Sequence, residues 1–335
     1  MSSLANLIRW EWFKLRRRRM LWFLLAVAIL FSQLSVWGSF FSYRNIDSNV
    51  GPAMQFGAGP GRAPQTFSCN DLLSGDPSRQ PADLDPQFAE RVRAQCRQQA
   101  EQRPALLRQA YDRFTLPGSI PLALSTLQTF GLILIAVLTA SAIGIDYGSG
   151  TLRSVLVQGT GRRPYLAAKL LTLAILAGLA LVLAMVGVAA GSTIAERIVG
   201  TAPMAQSTST WSSAGIALWK GWLAMIPYVA LTAFVTVLAR SSAAGMAIGL
   251  GYYFGEQIVV ALLLGFFSWG KDVGDFVLVH SISVWTGTAF FGPPGSATGD
   301  AARAGFVLLA YTVALAAIAL WIFERRDVHG STGGG

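Results

Sequence analysis

Charge is scarce in this chain. Asp, Glu, Lys and Arg make up 13% of its 335 residues, against roughly 25% in soluble globular proteins. Cysteine and histidine are scarcer still, at 2 each, with no CxxC pair, so a metal cluster has no ligands to draw on. No Gly-x-x-x-x-Gly-Lys-[Ser/Thr] run occurs, which excludes a phosphate-cradling loop, and no His-Glu-x-x-His motif offers a catalytic zinc. No nucleophile–base pair stands out either. What the chain has instead is apolar length: 53% of it is hydrophobic, in several runs of the roughly 20 residues that a helix needs to cross a bilayer.

Six such runs are expected to span, at 21–41, 119–145, 164–193, 216–239, 243–267 and 304–323. The first follows Arg16, Arg17, Arg18 and Arg19. It is too long for a usual signal core and lacks a small-residue cleavage site after it, so it reads as a retained span. The third is longer than needed, hence tilted or projecting. The fold class is therefore an all-α polytopic membrane protein. A formal net charge of +9 is explained by basic residues at the membrane surface, and nucleic acid is not an expected partner.

Basic residues in short loops set the orientation. With the N-terminus inside, Arg9, Lys14, Arg16–Arg19, Arg153, Arg162, Arg163, Lys169, Arg240, Arg325 and Arg326 all lie on the cytoplasmic side. The outer basic residues fall mostly in one long loop, where they count little. Both termini are expected in the cytoplasm: an N-terminal segment 1–20 and a tail 324–335. Asn6–Arg19 mixes Trp10, Trp12 and Phe13 with basic residues, suiting an amphipathic segment at the headgroup level, with its stripe near Leu4, Ile8, Trp12 and Leu15.

Residues 42–118 form an outer loop subdomain. It begins loosely, with Gly51-Pro52 and Gly59-Pro60-Gly61, then turns helical from Asp85-Pro86 to Pro104, with a second short helix over Pro104–Phe114. Cys69 and Cys96 both lie here. Oxidising surroundings favour a disulfide between them, the alternative being two partly buried thiols. A shorter outer loop is expected at 194–215. In 268–303, the mildly apolar stretch 276–291 is short for a span and reads as a re-entrant or interfacial helix.

Between the second and third spans, at 146–163, runs Asp146-Tyr147-Gly148-Ser149-Gly150-Thr151-Leu152-Arg153-Ser154-Val155-Leu156-Val157-Gln158-Gly159-Thr160-Gly161-Arg162-Arg163. A short helix near Thr151–Gln158 would carry Leu152, Val155 and Leu156 as one stripe, stopped by Gly159 and Gly161 and followed by Pro164 in a first helical turn. An exposed apolar stripe of this kind needs lipid or a protein partner.

The succession Asp146…Gly150-Thr151-Leu152-Arg153…Arg163…Lys169 resembles the permease subunits of ABC-2 type ABC transporters. There, a glutamate, then Gly-Thr-Leu and a basic residue, precede a proline-containing turn and a lysine on the next helix. Here Asp146 replaces the glutamate, and Gln158-Gly159-Thr160-Gly161 replaces the turn. The resemblance implies an ABC-2 (type V) exporter-like fold with six spans. It also implies a bacterial cytoplasmic-membrane location and a homodimer or heterodimer of permeases. Two separate cytoplasmic ATPase chains would bind the ATP and Mg2+, with no cofactor bound by this chain, so the chain is not itself an enzyme. Asp146, Gly150, Thr151, Leu152, Arg153, Val155, Leu156, Arg163 and Lys169 would form the ATPase-coupling region.

Glu256 is the acid set well inside an expected span. With Tyr252, Tyr253 and Gln257 it marks a candidate translocation path; the alternative is a hydrogen-bonded packing residue. The same carboxylate would serve a proton- or ion-coupled secondary transporter, the rival reading, beside a non-transport assembly protein. Gly187/Gly191, Gly245/Gly249 and Gly251/Gly255 are small-xxx-small pairs that permit close helix contact.

Overall fold

The computed structural model describes residues 4–48, 54–56, 65–67, 86–148, 161–200, 211–266, 273–288, 297 and 299–325. The elements in chain order are α1 (Leu4–Arg16), α2 (Arg19–Ser48), β1 (Met54–Phe56), β2 (Gln65–Phe67), α3 (Pro86–Phe114), α4 (Ser119–Gly148), α5 (Arg162–Val199), α6 (Trp211–Ala239), α7 (Ser242–Phe266), α8 (Leu278–Thr286) and α9 (Ala301–Arg325). They divide into two compact units. The first comprises 1–34, 120–190 and 209–335, and the second 35–119 and 191–208. Helices α2 and α5 contribute to both.

Among the described residues, five helices (α2, α4, α5, α6 and α9) are long and apolar enough to cross a membrane. Six were expected. The run at 243–267 also forms a helix, α7, which is not among those five. The other bounds extend past the expected ones because helices continue beyond the hydrocarbon. The third expected span becomes the 38 residues of α5, about 57 Å at 1.5 Å per residue. Outward faces are apolar, as membrane-facing surfaces are: Phe23, Val186 and Phe306 are 67%, 62% and 72% exposed.

In the first unit, α6 packs on α7 and α9, and α8 lies against α6, α7 and α9. The α6–α7 turn is short. Arg240 takes a left-handed conformation (φ 54°) just past the end of α6, the position at which a helix is commonly terminated. Ser241 Oγ then accepts the Ala244 amide at 3.3 Å, capping α7. Behind this turn the backbones come close. A methyl group on Gly245 would overlap the Thr236 side chain, and one on Gly249 would touch Ala136 and Thr232. Tyr228 donates its hydroxyl to the Gly249 carbonyl. Gly251 and Gly255 face open space, so the Gly245/Gly249 pair makes close contacts and the Gly251/Gly255 pair does not.

The nine residues of α8 extend only about 13 Å, far short of a crossing. Gly287 (φ 74°) closes the helix, with the Gly287 and Thr288 amides donating to Val284 and Ser283 carbonyls. Trp285 Nε1 donates to the Lys220 carbonyl at 3.1 Å, and Gly305 leaves room for that indole.

In the second unit, α3 is one continuous helix with Pro104 inside it, not two helices meeting at Pro104. Its Cys96, Ala110 and Phe114 are buried, and Tyr111 half-buried, on one face. Phe114 meets Phe40 and Tyr43 edge-on, with ring centroids at 5.8 and 5.5 Å. Arg103 donates to the Asp47 carbonyl at 2.8 Å. Glu196 Oε1 accepts the Leu116 amide at 3.0 Å. The stretch expected to be loose contains an antiparallel pair, β1 with β2, in register Met54↔Phe67.

The expected Cys69–Cys96 disulfide is corrected: no disulfide joins two described residues, because Cys69 lies outside them. Cys96 is buried, 1% exposed.

Candidate functional site: a buried ion cluster at the end of the bundle

Three elements bring ionic side chains together at one end of the first unit. Helix α1 turns Leu7, Glu11 and Leu15 inward, at the i, i+4, i+8 spacing of one helical face. The buried stripe is therefore offset from the expected one, and it carries a carboxylate at its centre. Leu4, Trp10 and Phe13 are exposed. Helix α4 runs on to Gly148, which places Asp146 in its last turn rather than in a loop. Tyr165 and Lys169, four residues apart in the first turns of α5, share a face.

Asp146 is the hub. Its Oδ1 accepts from Lys14 Nζ at 2.6 Å, and its Oδ2 accepts from Tyr165 Oη at 2.7 Å and from Lys169 Nζ. Lys169 Nζ also lies 3.3 Å from Tyr165 Oη and 3.6 Å from Glu11 Oε2. Glu11 and Lys169 are each 1% exposed and Asp146 2%. Two carboxylates thus face two ammonium groups, with a tyrosine hydroxyl between. Burial pulls the Lys14 pKa below the ordinary lysine value, partly countered by Glu11.

A second set of contacts draws in α9. Arg163 pairs with the Glu324 carboxylate, and Arg162 Nη1 donates to the Glu324 carbonyl at 2.9 Å. Phe323 stacks on Tyr165 and meets Tyr147 edge-on, at 6.3 and 6.4 Å between centroids. Asp146, Arg163 and Lys169, the described members of the expected coupling region, thus sit at the two feet of the segment 149–160. Gly150, Thr151, Leu152, Arg153, Val155 and Leu156 lie outside the described residues.

Glu11 is not among the site residues expected from the sequence. The signal for it was the i, i+4 spacing of Leu7, Glu11 and Leu15, which sets a carboxylate within an apolar stripe. Such an acid needs a cation from another element, and Lys169 supplies it.

The candidate path residues separate. Tyr253 and Gln257 line a small pocket with Gln128, Thr129 and Leu132 of α4 and with Val279, Ile282, Ser283 and Thr288 in and just after α8. Glu256 turns elsewhere. Its Oε1 accepts the His280 amide at 2.9 Å, in the first turn of α8, whose own N-cap, Val277, offers no side-chain acceptor. The Tyr252 hydroxyl lies beside the same carboxylate. A carboxylate at a helix N-terminus satisfies orphan amides and the positive end of the helix dipole, so Glu256 has a structural partner in α8.

Among the described residues, no three His, Cys, Asp or Glu side chains are grouped to hold a metal ion. No curated protein matches the chain. The family model described as ABC-2 family transporter protein matches residues 5–328, a range that includes every ionic residue of the cluster. The chain belongs to the ABC-2 family of transporter proteins, as a non-catalytic membrane permease.

Proposed function

We propose that this chain is the transmembrane subunit of an ATP-driven ABC-2 exporter. Two permease copies, or one copy with a similar partner, enclose the substrate path, and a pair of separate cytoplasmic ATPases drives it with ATP and Mg2+. The observation that carries this reading is the ion cluster at the feet of 149–160. Asp146 closes the helix before that segment, Lys169 and Arg163 open the helix after it, and Lys14 and Glu11 tie both to α1. A push on the segment would be delivered to α1, α4 and α5 together. Leu152, Val155 and Leu156 are the apolar knobs that would receive the push, with Gly150, Thr151 and Arg153 shaping the approach.

In this reading α7 is the sixth span. It folds back along α6 through a two-residue turn, and its 25 residues reach about 37 Å. Both termini then lie in the cytoplasm of a bacterial cell, in keeping with Arg16–Arg19 and Arg325. Residues 42–118 form an outer subdomain, and α8 is a re-entrant helix shielded from lipid by α6, α7 and α9. The small pocket at Tyr253 and Gln257 belongs to the path. Glu256 weighs less as an ion-coupling group, since its contact with α8 already accounts for it.

Co-purification of the chain with a nucleotide-binding subunit, showing vanadate-sensitive ATPase activity, is the expected result. Changing Leu152 and Leu156 together to Glu should abolish that association while the permease still folds. Transport driven by an ion gradient without any ATPase, or unchanged association of the double variant, overturns the reading.

A further inference from the structure

The pocket between α4, α7 and α8 combines polar walls with little room. Gln128 and Thr129 of α4, Tyr253 and Gln257 of α7, and Ser283 and Thr288 in and just after α8 line it, and aliphatic side chains complete the wall. It leaves about 10 Å³ for the centre of a water-sized molecule, close to the space that one water requires. Among the described residues no charged side chain lines it, so neither a free cation nor a free anion finds a counter-charge there.

Gln128 is the residue that needs an occupant in this space. It is 8% exposed, and its Nε2, which carries two N–H donors, is buried with no hydrogen-bond partner among the described residues. A buried donor without an acceptor is costly, and native folds rarely keep one. The hydroxyls of α8 have the opposite need. A hydroxyl has a single proton to give. Ser283 gives its own to the Val279 carbonyl at 3.0 Å, and Thr286 gives its own to the Ile282 carbonyl at 2.8 Å. Thr288 must then be the donor in its 2.9 Å contact with Thr286 Oγ1. Ser283 and Thr288 therefore have only lone pairs left to offer the pocket. The Tyr253 hydroxyl, across it, is paired with Thr129.

An unspent donor on α4 thus shares a pocket with two acceptors of the α8 segment, and no direct bond joins them. Water combines the size of this space with the capacity to accept and donate at once. We infer that the pocket is a binding site for one water molecule, which accepts from Gln128 Nε2 and donates to Ser283 Oγ and Thr288 Oγ1. Such a bridge is nearly as favourable as a direct hydrogen bond. It seats the C-terminal end of α8 on α4, whereas Glu256 holds the first turn of the same helix. The inference uses only the placement of these side chains and stands or falls separately from ATPase coupling.

A density map of the full-length chain in lipid nanodiscs, at a resolution that shows ordered solvent, tests it directly. The expected result is one peak about 2.7–3.2 Å from Gln128 Nε2, Ser283 Oγ and Thr288 Oγ1. A dry pocket, or a peak out of reach of any of the three, overturns the inference. Replacing Na+ by Rb+ in the buffer should leave the peak height unchanged; a rise would mark a cation and overturn it too. Gln128→Leu occupies a similar volume without the donor and should lose the peak. In hydrogen exchange the same variant should speed the 282–288 amides about fivefold relative to those of α9. Ser283→Ala should have a smaller effect in the Gln128→Leu background than alone, because the two residues share one bridge. Fully additive effects overturn the bridge.

Discussion

Asp146 accepts from three donors on two helices, and the two lysines among them share their negative partners, Asp146 and Glu11. Removing one partner of a buried ion pair costs about 3–5 kcal/mol, because it strands the other, whereas replacing the whole pair by apolar groups costs much less. Asp146→Leu should therefore lower the thermal stability of the detergent-solubilised protein sharply. Lys169→Met should also be destabilising, since it leaves the 1%-exposed Glu11 without its cation. The double variant Asp146→Leu with Lys169→Met should be less destabilised than the sum of the two, by about 1–3 kcal/mol in a double-mutant cycle. Additive losses would mean that the two side chains do not act as a pair. Asp146 and Lys169 were singled out in the sequence through the resemblance to ABC-2 permease subunits. Glu11 was not, because a single acid in a strongly basic segment looks like a solvated charge until the inward face of α1 is known.

At the scale of elements, apolar run length is what the sequence shows best, and five helices among the described residues are long and apolar enough to span. Helix α8 is different in kind: nine residues cannot hold themselves helical in isolation, so tertiary contacts must. The carboxylate of Glu256 on the His280 amide is one of them. Sequence placed Glu256 in an apolar setting and offered a path or a packing role, but only the fold brings the first turn of α8 to it. Glu256→Ala should leave that amide unpaired, at a cost of about 1–2 kcal/mol. Hydrogen exchange across 278–282 should accelerate roughly tenfold relative to the exchange in α9. Glu256→Gln keeps an acceptor oxygen without the charge and should fall between. Unchanged exchange in the alanine variant would remove the capping role and return Glu256 to the candidates for the path. The β1–β2 pair and the continuity of α3 through Pro104 were missed for a related reason: strands of three residues carry no periodicity, and a proline lowers the expectation of a helix without forbidding one that tertiary contacts hold.

For the molecule as a whole, the open matter is the parity of crossings, because it decides on which side the C-terminal end of α9 lies. Five helices meet the length and apolarity that spanning requires, and five crossings would put Arg16–Arg19 and Arg325 on opposite faces. The ionic contacts weigh against that. Arg163 and Arg162, at the start of α5, both engage Glu324 at the end of α9, while Lys169 near the start of α5 engages Glu11 of α1, so α1 and the C-terminal end of α9 are gathered at the start of α5. A sixth crossing restores the parity, and α7 is the helix able to supply it: the Arg240–Ser241 turn reverses the chain, and Gly245 and Gly249 let α7 lie close along α6. The polar residues Tyr253 and Glu256 on it face protein, both buried. In a background with Cys69 and Cys96 changed to Ser, Ser241→Cys should resist a membrane-impermeant maleimide added to intact cells. Ser268→Cys, beyond the far end of α7, should react with it. Labelling of both positions from the same side would show that α7 does not cross, and would leave the ion cluster to be explained in a five-span protein.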